Sequence, residues 1–535
     1  MSKIIDLKRR NFLKGSAAAA AAASVASTSA FAGSYDDAKN LKQQKEEDIK
    51  NAKYTPVVCG MCVNMCGVIA REVDGKITKI DPNPLHTKSR GFMCARGNAG
   101  IAEEYDPDRL TKPLKRVGPK GSGKFVEISW EQALDEISQK MVKILEEERD
   151  NRSTFVFGAG ASTGNMGDPV FANFLNGVGS ANFIDHFTTC FAPSFMANLM
   201  TFGSWGLSDF QHTKYVMNLG ANRAEGIVTP DTLDMFRKTH GRGIEKIVYI
   251  DPRYTNTASH CDEFIAIKPG TDAALILAMI NETIKNGYHK TPYKAQYIEE
   301  NVNGIKELEE FFTTGEGATY TPEWAAKITD IPAETIKRLT KEFSDAAEKY
   351  EGAANCYRSR KSTWYYQDFE FRRAQAIFNA IHGCVNRPGG VTLGTHLKGK
   401  NGKGLESYEY EDFPIYDNAK GRIDTGVIAN GEYPLANPTK GSWQILRDNI
   451  LEINTKWNKA GRPRPDEDGN YKGLAENEYP VRGFFIYKQN PMQSVPEYDK
   501  TAEMLKSVDL VVTIDIIAND TAYYSDYILP DNTYL

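Results

Sequence analysis

The sequence predicts an α/β protein of more than one domain: a small cysteine-bearing domain near the N-terminus, followed by Rossmann-like parallel-sheet domains. Three observations carry that expectation. The chain has 535 residues, enough for several packed layers, and its 41% hydrophobic and 25% charged content is ordinary for a soluble protein. Short apolar runs recur, each ending in Gly, Asn or Asp: TFVF (154–157) before Gly158-Ala159-Gly160, YVMNL before Gly220-Ala221-Asn222, KIVYI before Asp251-Pro252-Arg253, FFIY (484–487) before Asn490-Pro491, and LVVTI (510–514) before Asp515. Four of the eight cysteines gather at Cys59, Cys62, Cys66 and Cys94. The net charge of −5 gives no reason to expect nucleic acid or an anionic membrane surface as a partner. No apolar run after residue 40 approaches the length a bilayer needs.

In chain order, the first element is an export signal. Lys8-Arg9-Arg10-Asn11-Phe12-Leu13-Lys14 supplies a basic start, an alanine run from Ala17 a weakly apolar middle, and Ala30-Phe31-Ala32 an A-x-A end. Paired arginines before Phe-Leu-Lys have the twin-arginine form, a route taken by proteins that fold, and often load a cofactor, before crossing. The alternative is an amphipathic first helix, for which an alanine run makes a poor core stripe. The signal is assigned to residues 1–32. Residues 33–54 are charged and nearly devoid of large apolar side chains, and read as a surface arm.

The stretch CGMCVNMC (59–66) sets three cysteines at C-x2-C-x3-C, and GFMCARG supplies Cys94. Export makes disulfides a candidate, but a large domain needs no staples, and cysteines at i and i+3 are poorly placed to pair. Zinc sites usually show two separate C-x2-C knuckles. One compact loop with three thiolates and a remote fourth suits a 4Fe–4S cubane, three irons gripped by the loop and the last capped from elsewhere. Gly60 and Gly67 let the backbone wrap closely. The domain is drawn at 55–111, with 112–535 as the α/β remainder. A cluster moves single electrons and binds no substrate, so a second redox group is expected. Arg96 can lie between the two, or can be a solvated arginine.

Ser129 begins a helix as its cap, with Gln132 completing a capping box. Trp130, Ala133, Leu134, Ile137, Met141 and Ile144 mark its apolar face. The strand-and-turn units that follow imply ligands at the carboxyl ends of strands, bound without a G-x-G-x-x-G or a P-loop. Lys268-Pro269-Gly270-Thr271-Asp272 opens a further helix, where Asp272 either caps or holds a polar ligand group. Asn386-Arg387-Pro388-Gly389-Gly390 forms a tight turn, and residues 395–480, rich in Gly, Lys, Asn, Tyr and Pro, read as long surface excursions.

Taken in order, the cluster loop, Cys94-Ala95-Arg96-Gly97, Asp251-Pro252-Arg253, Lys268 to Asp272 and Asn386 to Gly390 resemble the molybdopterin oxidoreductases of the dimethyl sulfoxide reductase type, from about Pro56 to Leu535. The resemblance implies that fold, with a small N-terminal iron–sulfur domain and Rossmann-like parallel sheets. It also implies two molybdopterin guanine dinucleotides holding one molybdenum or tungsten, with the cluster near one pterin and Arg96 between them. Gly220, Asn222, Asp251, Arg253, Gly270, Thr271, Asp272, Asn386 and Asn490 are the residues it places at the dinucleotides. Cys190, in HFTTCFAP, takes the position of the metal ligand, soft thiolate suiting a metal already bound by sulfur; a buried free thiol is the alternative, which Cys261, Cys356 and Cys384 fit better. Arg358 or Arg360 is the candidate to receive an anionic substrate, against a surface salt-bridge role. His186 is the candidate to supply a proton, against a packed core histidine.

Within the family, the segment around Cys190 looks most like the polysulfide and thiosulfate reductase catalytic subunits, with arsenate and tetrathionate reductases as near relatives. The expected protein is therefore a periplasmic catalytic subunit that cleaves a sulfur–sulfur bond reductively, although the same parts can run in the oxidising direction. Its expected partners are an iron–sulfur electron-transfer subunit, a membrane quinol-oxidising subunit that gives peripheral attachment, the twin-arginine translocase and a cofactor-loading chaperone. Relatives continue past the position of Leu535 into a barrel-like domain, so a C-terminally incomplete chain is expected, and with it a non-enzymatic alternative, a chain that binds a cluster without turnover.

Overall fold

The structure, a computed structural model, describes residues 4–6, 50–62, 64–160, 174, 177–185, 192–204, 206–226, 230–236, 243–358, 368–393, 423 and 443–535. The chain divides into two compact units, residues 1–189 with 410–535, and residues 190–409.

Among the described residues the first unit holds two sheets. Lys53–Val58, Gly67–Val73 and Lys76–Pro82 form an antiparallel three-stranded sheet. Its first strand takes in the last two residues assigned to the charged arm. The second sheet has eight strands, in the order Ile4–Asp6, Lys124–Glu127, Leu114–Arg116, Tyr527–Pro530, Leu510–Asp515, Gly483–Tyr487, Phe155–Ala159, Asn182–Asp185. The last five pair in parallel, as the apolar runs predict, and the first three add an antiparallel margin. Phe155–Ala159 and Gly483–Tyr487 are buried at every position, so they read as unbroken apolar runs without alternation. Phe157 and Phe485 stack at 5.2 Å between neighbouring strands.

Helix Trp130–Glu147 covers one face of this sheet through Ala133, Ile137 and Ile144. Ser129 Oγ accepts from Gln132 N at 3.1 Å, but the Gln132 side chain reaches forward to Glu136 at 2.8 Å, so only half of the capping box forms. Trp130 and Leu134, expected on the apolar face, are exposed, because the covered stripe is narrower than the apolar pattern. A second correction falls in residues 395–480. Helix Trp443–Lys459 is no surface excursion: Trp443, Leu446, Ile450, Ile453 and Trp457 recur at helical spacing and are buried.

In the second unit, four strands run parallel in the order Glu263–Ile265, Lys246–Ile250, Tyr215–Leu219, Ala354–Arg358. Helices Asp272–Lys285, Pro322–Thr329, Ala333–Lys349 and Asp368–Ile381 pack around one core that includes Leu275, Ile276, Met279, Leu339, Phe343 and Phe378. Each such side chain contributes on the order of 1.5–3 kcal/mol by leaving water. Ala333–Lys349 follows Pro332 and sets Ile336, Leu339, Phe343 and Ala347 three or four apart on one buried face. Among the described residues no helix is long and apolar enough to cross a membrane.

Candidate functional site: a cysteine loop and two strand-end edges

The cysteine loop is the connection between the first two strands of the small sheet. Val58 pairs with Gly67 and Cys59 N donates to Cys66 O at 2.8 Å, so the neck is pinned and Cys59, Cys62 and Cys66 occupy one turn. Met65 takes φ +46° and donates to Cys62 O at 3.3 Å, tightening that turn. Gly67 has no room for a side chain: an added Cβ would lie 2.4 Å from the His86 ring. His86 in turn bonds Ser89 at 3.0 Å, and Gly67 N donates to Ser89 Oγ at 3.2 Å. Val68 and Ile80 pack beneath Cys59 and Cys66.

Cys94 arrives from a separate loop, as the residue before the short helix Ala95–Asn98. Burial pushes the Cys59 thiol up, opposed by the Met61 N–H and the Tyr534 hydroxyl, with the nearby Cys62 and Cys94 pushing it further up. Burial likewise raises Cys66, opposed by Asn64 and reinforced by the other three cysteines. The four sulfurs therefore share one locale. All four are free thiols. Among the described residues no three His, Cys, Asp or Glu side chains converge as a single metal ion requires. Arg96 is exposed on the helix that Cys94 begins.

The second feature of this unit is the carboxyl edge of its parallel strands. From Phe155–Ala159 the chain moves outward to Asn182–Asp185, whereas Gly483–Tyr487 lies on the other side, so the topological switch falls between Phe155–Ala159 and Gly483–Tyr487. Open α/β sheets hold ligands at such a point. Gly160 N donates to Tyr487 O at 2.9 Å, and Lys488 turns at φ +50°. Gln489 is buried there; its amide nitrogen donates to Ala159 O, yet its Oε1 has no hydrogen-bond partner. An orphaned buried acceptor is costly unless a donor arrives, and the N–H edge of a pterin is such a donor. Asn490 does a different job: its Oδ1 accepts from the Thr521 hydroxyl at 2.8 Å, tying two strand-end loops together. Asp515, at the next strand end, is held above the usual carboxylate range by burial.

In the second unit the switch falls between Tyr215–Leu219 and Ala354–Arg358. The Gly220 turn leaves at φ +66° and is braced by Asn218, whose side chain both accepts from Ala221 N at 3.1 Å and donates to Ala221 O at 3.0 Å. Asp251 follows the adjacent strand; its Oδ2 accepts from the Tyr249 hydroxyl at 2.6 Å and its Oδ1 from Arg253 N at 2.8 Å. Asn222 accepts from the Thr257 hydroxyl at 2.7 Å and donates to Glu225 at 2.6 Å, and Arg253 pairs with Glu225 at 3.7 Å. Gly220, Asn222, Asp251 and Arg253 thus meet at one edge. Asp251 N also donates to Ile265 O at 3.2 Å, which ties in the strand that leads to Gly270-Thr271-Asp272. Thr271, not Asp272, is the cap residue of Asp272–Lys285, its hydroxyl turned to Lys268 O at 2.6 Å; Asp272 is the first helical residue and does not cap.

The backbone of Arg358 ends the strand beside Leu219 at the same edge. Asn386 does not join it. The turn it begins packs at the amino ends of the strands, where a Cβ on Gly389 would lie 2.8 Å from the His212 backbone and from Ala353 Cβ. His186, Cys190 and Arg360 lie outside the described residues. Cys356 and Cys384 are fully buried thiols, raised by burial, and Cys261 donates to Thr257 O at 3.1 Å. The sequence reading missed Asn64, Tyr534 and Gln489.

Comparison with known proteins fits this layout. The family profile described as molybdopterin oxidoreductase matches residues 109–535, that of the molybdopterin oxidoreductase Fe4S4 domain matches residues 52–106, and that of the twin-arginine translocation pathway signal sequence matches residues 6–26. The chain is 29% identical over 481 residues to the thiosulfate reductase molybdopterin-containing subunit of Salmonella typhimurium, covering 90% of this chain and 58% of that protein. It is 28% identical over 570 residues to a dimethyl sulfoxide reductase of Haemophilus influenzae, covering 100% and 65%. It is 23% identical over 559 residues to the arsenate respiratory reductase molybdopterin-containing subunit of a Shewanella species, covering 99% and 61%. The chain thus spans between 58% and 65% of the length of these relatives. Among solved structures, the acetylene hydratase from Pelobacter acetylenicus matches with a TM-score of 0.66 and 24% identity, covering 90% of this chain and 63% of that one, a likeness of fold.

Proposed function

Because the chain belongs to the molybdopterin oxidoreductase family, we propose that it is the exported catalytic subunit of a respiratory reductase that cleaves a sulfur–sulfur bond, in thiosulfate or polysulfide. The observation that supports the redox reading most directly is the pinned loop of Cys59, Cys62 and Cys66 with Cys94 beside it, in the same unit as a strand edge with an orphaned acceptor. The family's cofactors are molybdopterin with molybdenum or tungsten and a 4Fe–4S cluster, which when bound supply a two-electron centre and a one-electron relay.

In this reading the four cysteines would hold the cluster, and Arg96, exposed on the helix that follows Cys94, would lie toward the pterin. Gly220, Asn222, Asp251, Arg253, Gly270, Thr271 and Asp272 cradle one dinucleotide through backbone and side-chain polar groups, and the loops around Gln489 and Asn490 cradle the other. Cys190 would ligate the metal. Arg358 or Arg360 offers a fixed guanidinium to the anionic substrate, and His186 passes a proton. Thiosulfate with two electrons and two protons gives sulfite and hydrogen sulfide. Electrons enter from an iron–sulfur subunit supplied by a membrane quinol-oxidising subunit, which holds the protein at the periplasmic face after twin-arginine export and loading by a chaperone. The twin-arginine match supports that export.

The thiosulfate reductase of Salmonella typhimurium supports the sulfur substrate. The arsenate reductase of Shewanella, matched over 99% of this chain, supports arsenate as the second reading. Oxidation of a reduced viologen by the metal-loaded enzyme, with thiosulfate, polysulfide, tetrathionate and arsenate offered in turn, separates them. Fastest turnover on thiosulfate or polysulfide is expected. Fastest turnover on arsenate would replace the substrate assignment, and no turnover by metal-loaded protein with any acceptor would overturn the reductase reading.

A further inference from the structure

We propose that Asn64 and Tyr534 are positioning residues that set the reduction potential of the cluster held by the four cysteines, each by donating a hydrogen bond to a ligating sulfur. The inference rests on the cluster reading above and adds two residues that no metal-ligand pattern contains. Asn64 is buried inside the loop, and its Nδ2 lies 3.0 Å from Cys66 Sγ. An amide nitrogen only donates, so the bond has one polarity, and the sulfur is its acceptor in the thiol and in the iron-bound thiolate alike.

Tyr534 comes from the far end of the chain and seats its ring on the same loop. A Cβ on Gly60 would lie 3.1 Å from Tyr534 Cβ, and one on Gly100 would lie 1.8 Å from its hydroxyl, so these two glycines are the space the tyrosine occupies. The segment is pinned beside it. The Thr533 hydroxyl bonds Glu104, and Glu104 pairs with Arg109 at 2.8 Å. The Tyr534 hydroxyl donates to Gly97 O at 3.3 Å, and the Cys59 sulfur lies beside that residue: a Cβ on Gly97 would lie 3.7 Å from Cys59 Sγ. One O–H proton faces two acceptors. An iron-bound thiolate is anionic, and the carbonyl contact is long, so with the cluster bound the proton would turn from Gly97 O to Cys59 Sγ.

The two donors therefore serve the first and last ligands of the loop. Reduction adds one negative charge to a cluster, part of it on the cysteine sulfurs, and N–H and O–H donors stabilise the reduced form more than the oxidised one. Hydrogen bonds to the sulfurs are among the established determinants of cluster potential.

The test is an EPR-monitored redox titration of the anaerobically purified holoenzyme and of its Asn64→Leu and Tyr534→Phe variants, each with iron counted first. Tyr534→Phe keeps the ring and loses only the hydroxyl. Each variant is expected to keep its iron and to show about a tenfold lower ratio of reduced to oxidised cluster at a fixed potential, which is a downward shift of about 59 mV for a one-electron couple. An unchanged midpoint with full iron would overturn the proposal. Absence of iron from the wild-type protein would instead overturn the cluster reading beneath it. Where a variant loses its iron, the wild-type enzyme decides: pulsed EPR of the reduced cluster is expected to show couplings from side-chain 15N asparagine and from ring-deuterated tyrosine, and their absence would overturn the assignment.

Discussion

Gly160 offers the sharpest link between the fold and the proposed cofactor edge. It follows Phe155–Ala159 at the switch point, and its N–H draws in Tyr487 O at 2.9 Å. In Gly160→Ala the new Cβ would lie 2.0 Å from Lys488 O and 2.9 Å from its carbonyl carbon. That obstacle is backbone, held in place by Lys488 N donating to Ile514 O at 3.0 Å, so no rotamer change relieves it. Overpacking costs about 1–3 kcal/mol, and a backbone obstacle places this case near about 3. At about 2.1 cal/mol/K of unfolding entropy per residue, a unit of roughly 315 residues shifts by about 1.5 °C per kcal/mol, so the Tm falls by about 4–5 °C. Gly461→Ala is the comparison: φ is +83° but nothing lies within 4 Å of an added Cβ, so only left-handed strain of about 1–2 kcal/mol applies. Calorimetric scans at matched rates, with molybdenum and tungsten counted per chain, check both. Gly160→Ala is expected to lose stability and metal together, while Gly461→Ala keeps its metal. Equal Tm shifts with full metal in Gly160→Ala would refute the reasoning.

Three further outcomes are expected. Arg482 is buried and bonded to Glu148 at 2.8 Å, Glu147 at 2.7 Å and Asp509 at 2.7 Å, so Arg482→Met strands the buried Glu148 carboxylate and costs about 3–5 kcal/mol in chemical denaturation. Glu136 is held down at about 2, from an ordinary 4.5, by hydrogen bonds from Lys115 and Tyr527; its contribution is present above the ordinary value and is lost as pH falls towards about 2, so Glu136→Gln flattens that part of the stability–pH curve. Cys356→Ala and Cys384→Ala leave iron content unchanged, because both thiols sit in the core of the second unit, whereas Cys59→Ser or Cys94→Ser lowers it; a colorimetric iron assay distinguishes them.

The strands and their turns were legible because buried parallel strands are short apolar runs and their carboxyl ends need Gly, Asn or Asp. The cysteine loop was legible because ligand spacing is local. Helix Trp443–Lys459 was obscured by the composition of the longer stretch around it, although its own apolar residues recur at helical spacing. The half-formed box at Ser129 reflects competition: Gln132 finds Glu136 one turn on, a partner the spacing rule ignores. Thr271 and Asp272 are both good cap residues, and only the backbone decides between them. The resemblance groups Asn386 with the strand-end residues, but the turn it begins packs at the opposite end of the sheet, a separation invisible along the chain. Asn64 and Tyr534 carry no spacing signal at all, since a donor to sulfur can come from any point in the sequence.

The measurement that tests the central claim most directly is iron, molybdenum, tungsten and pterin content of the protein purified anaerobically from a host that makes the cofactor. The account predicts about four irons, with one molybdenum or tungsten and its pterin, per chain. Zinc in place of iron would contradict the electron-relay reading of the cysteine loop, and four irons without pterin or either heavy metal would contradict the strand-edge cradle.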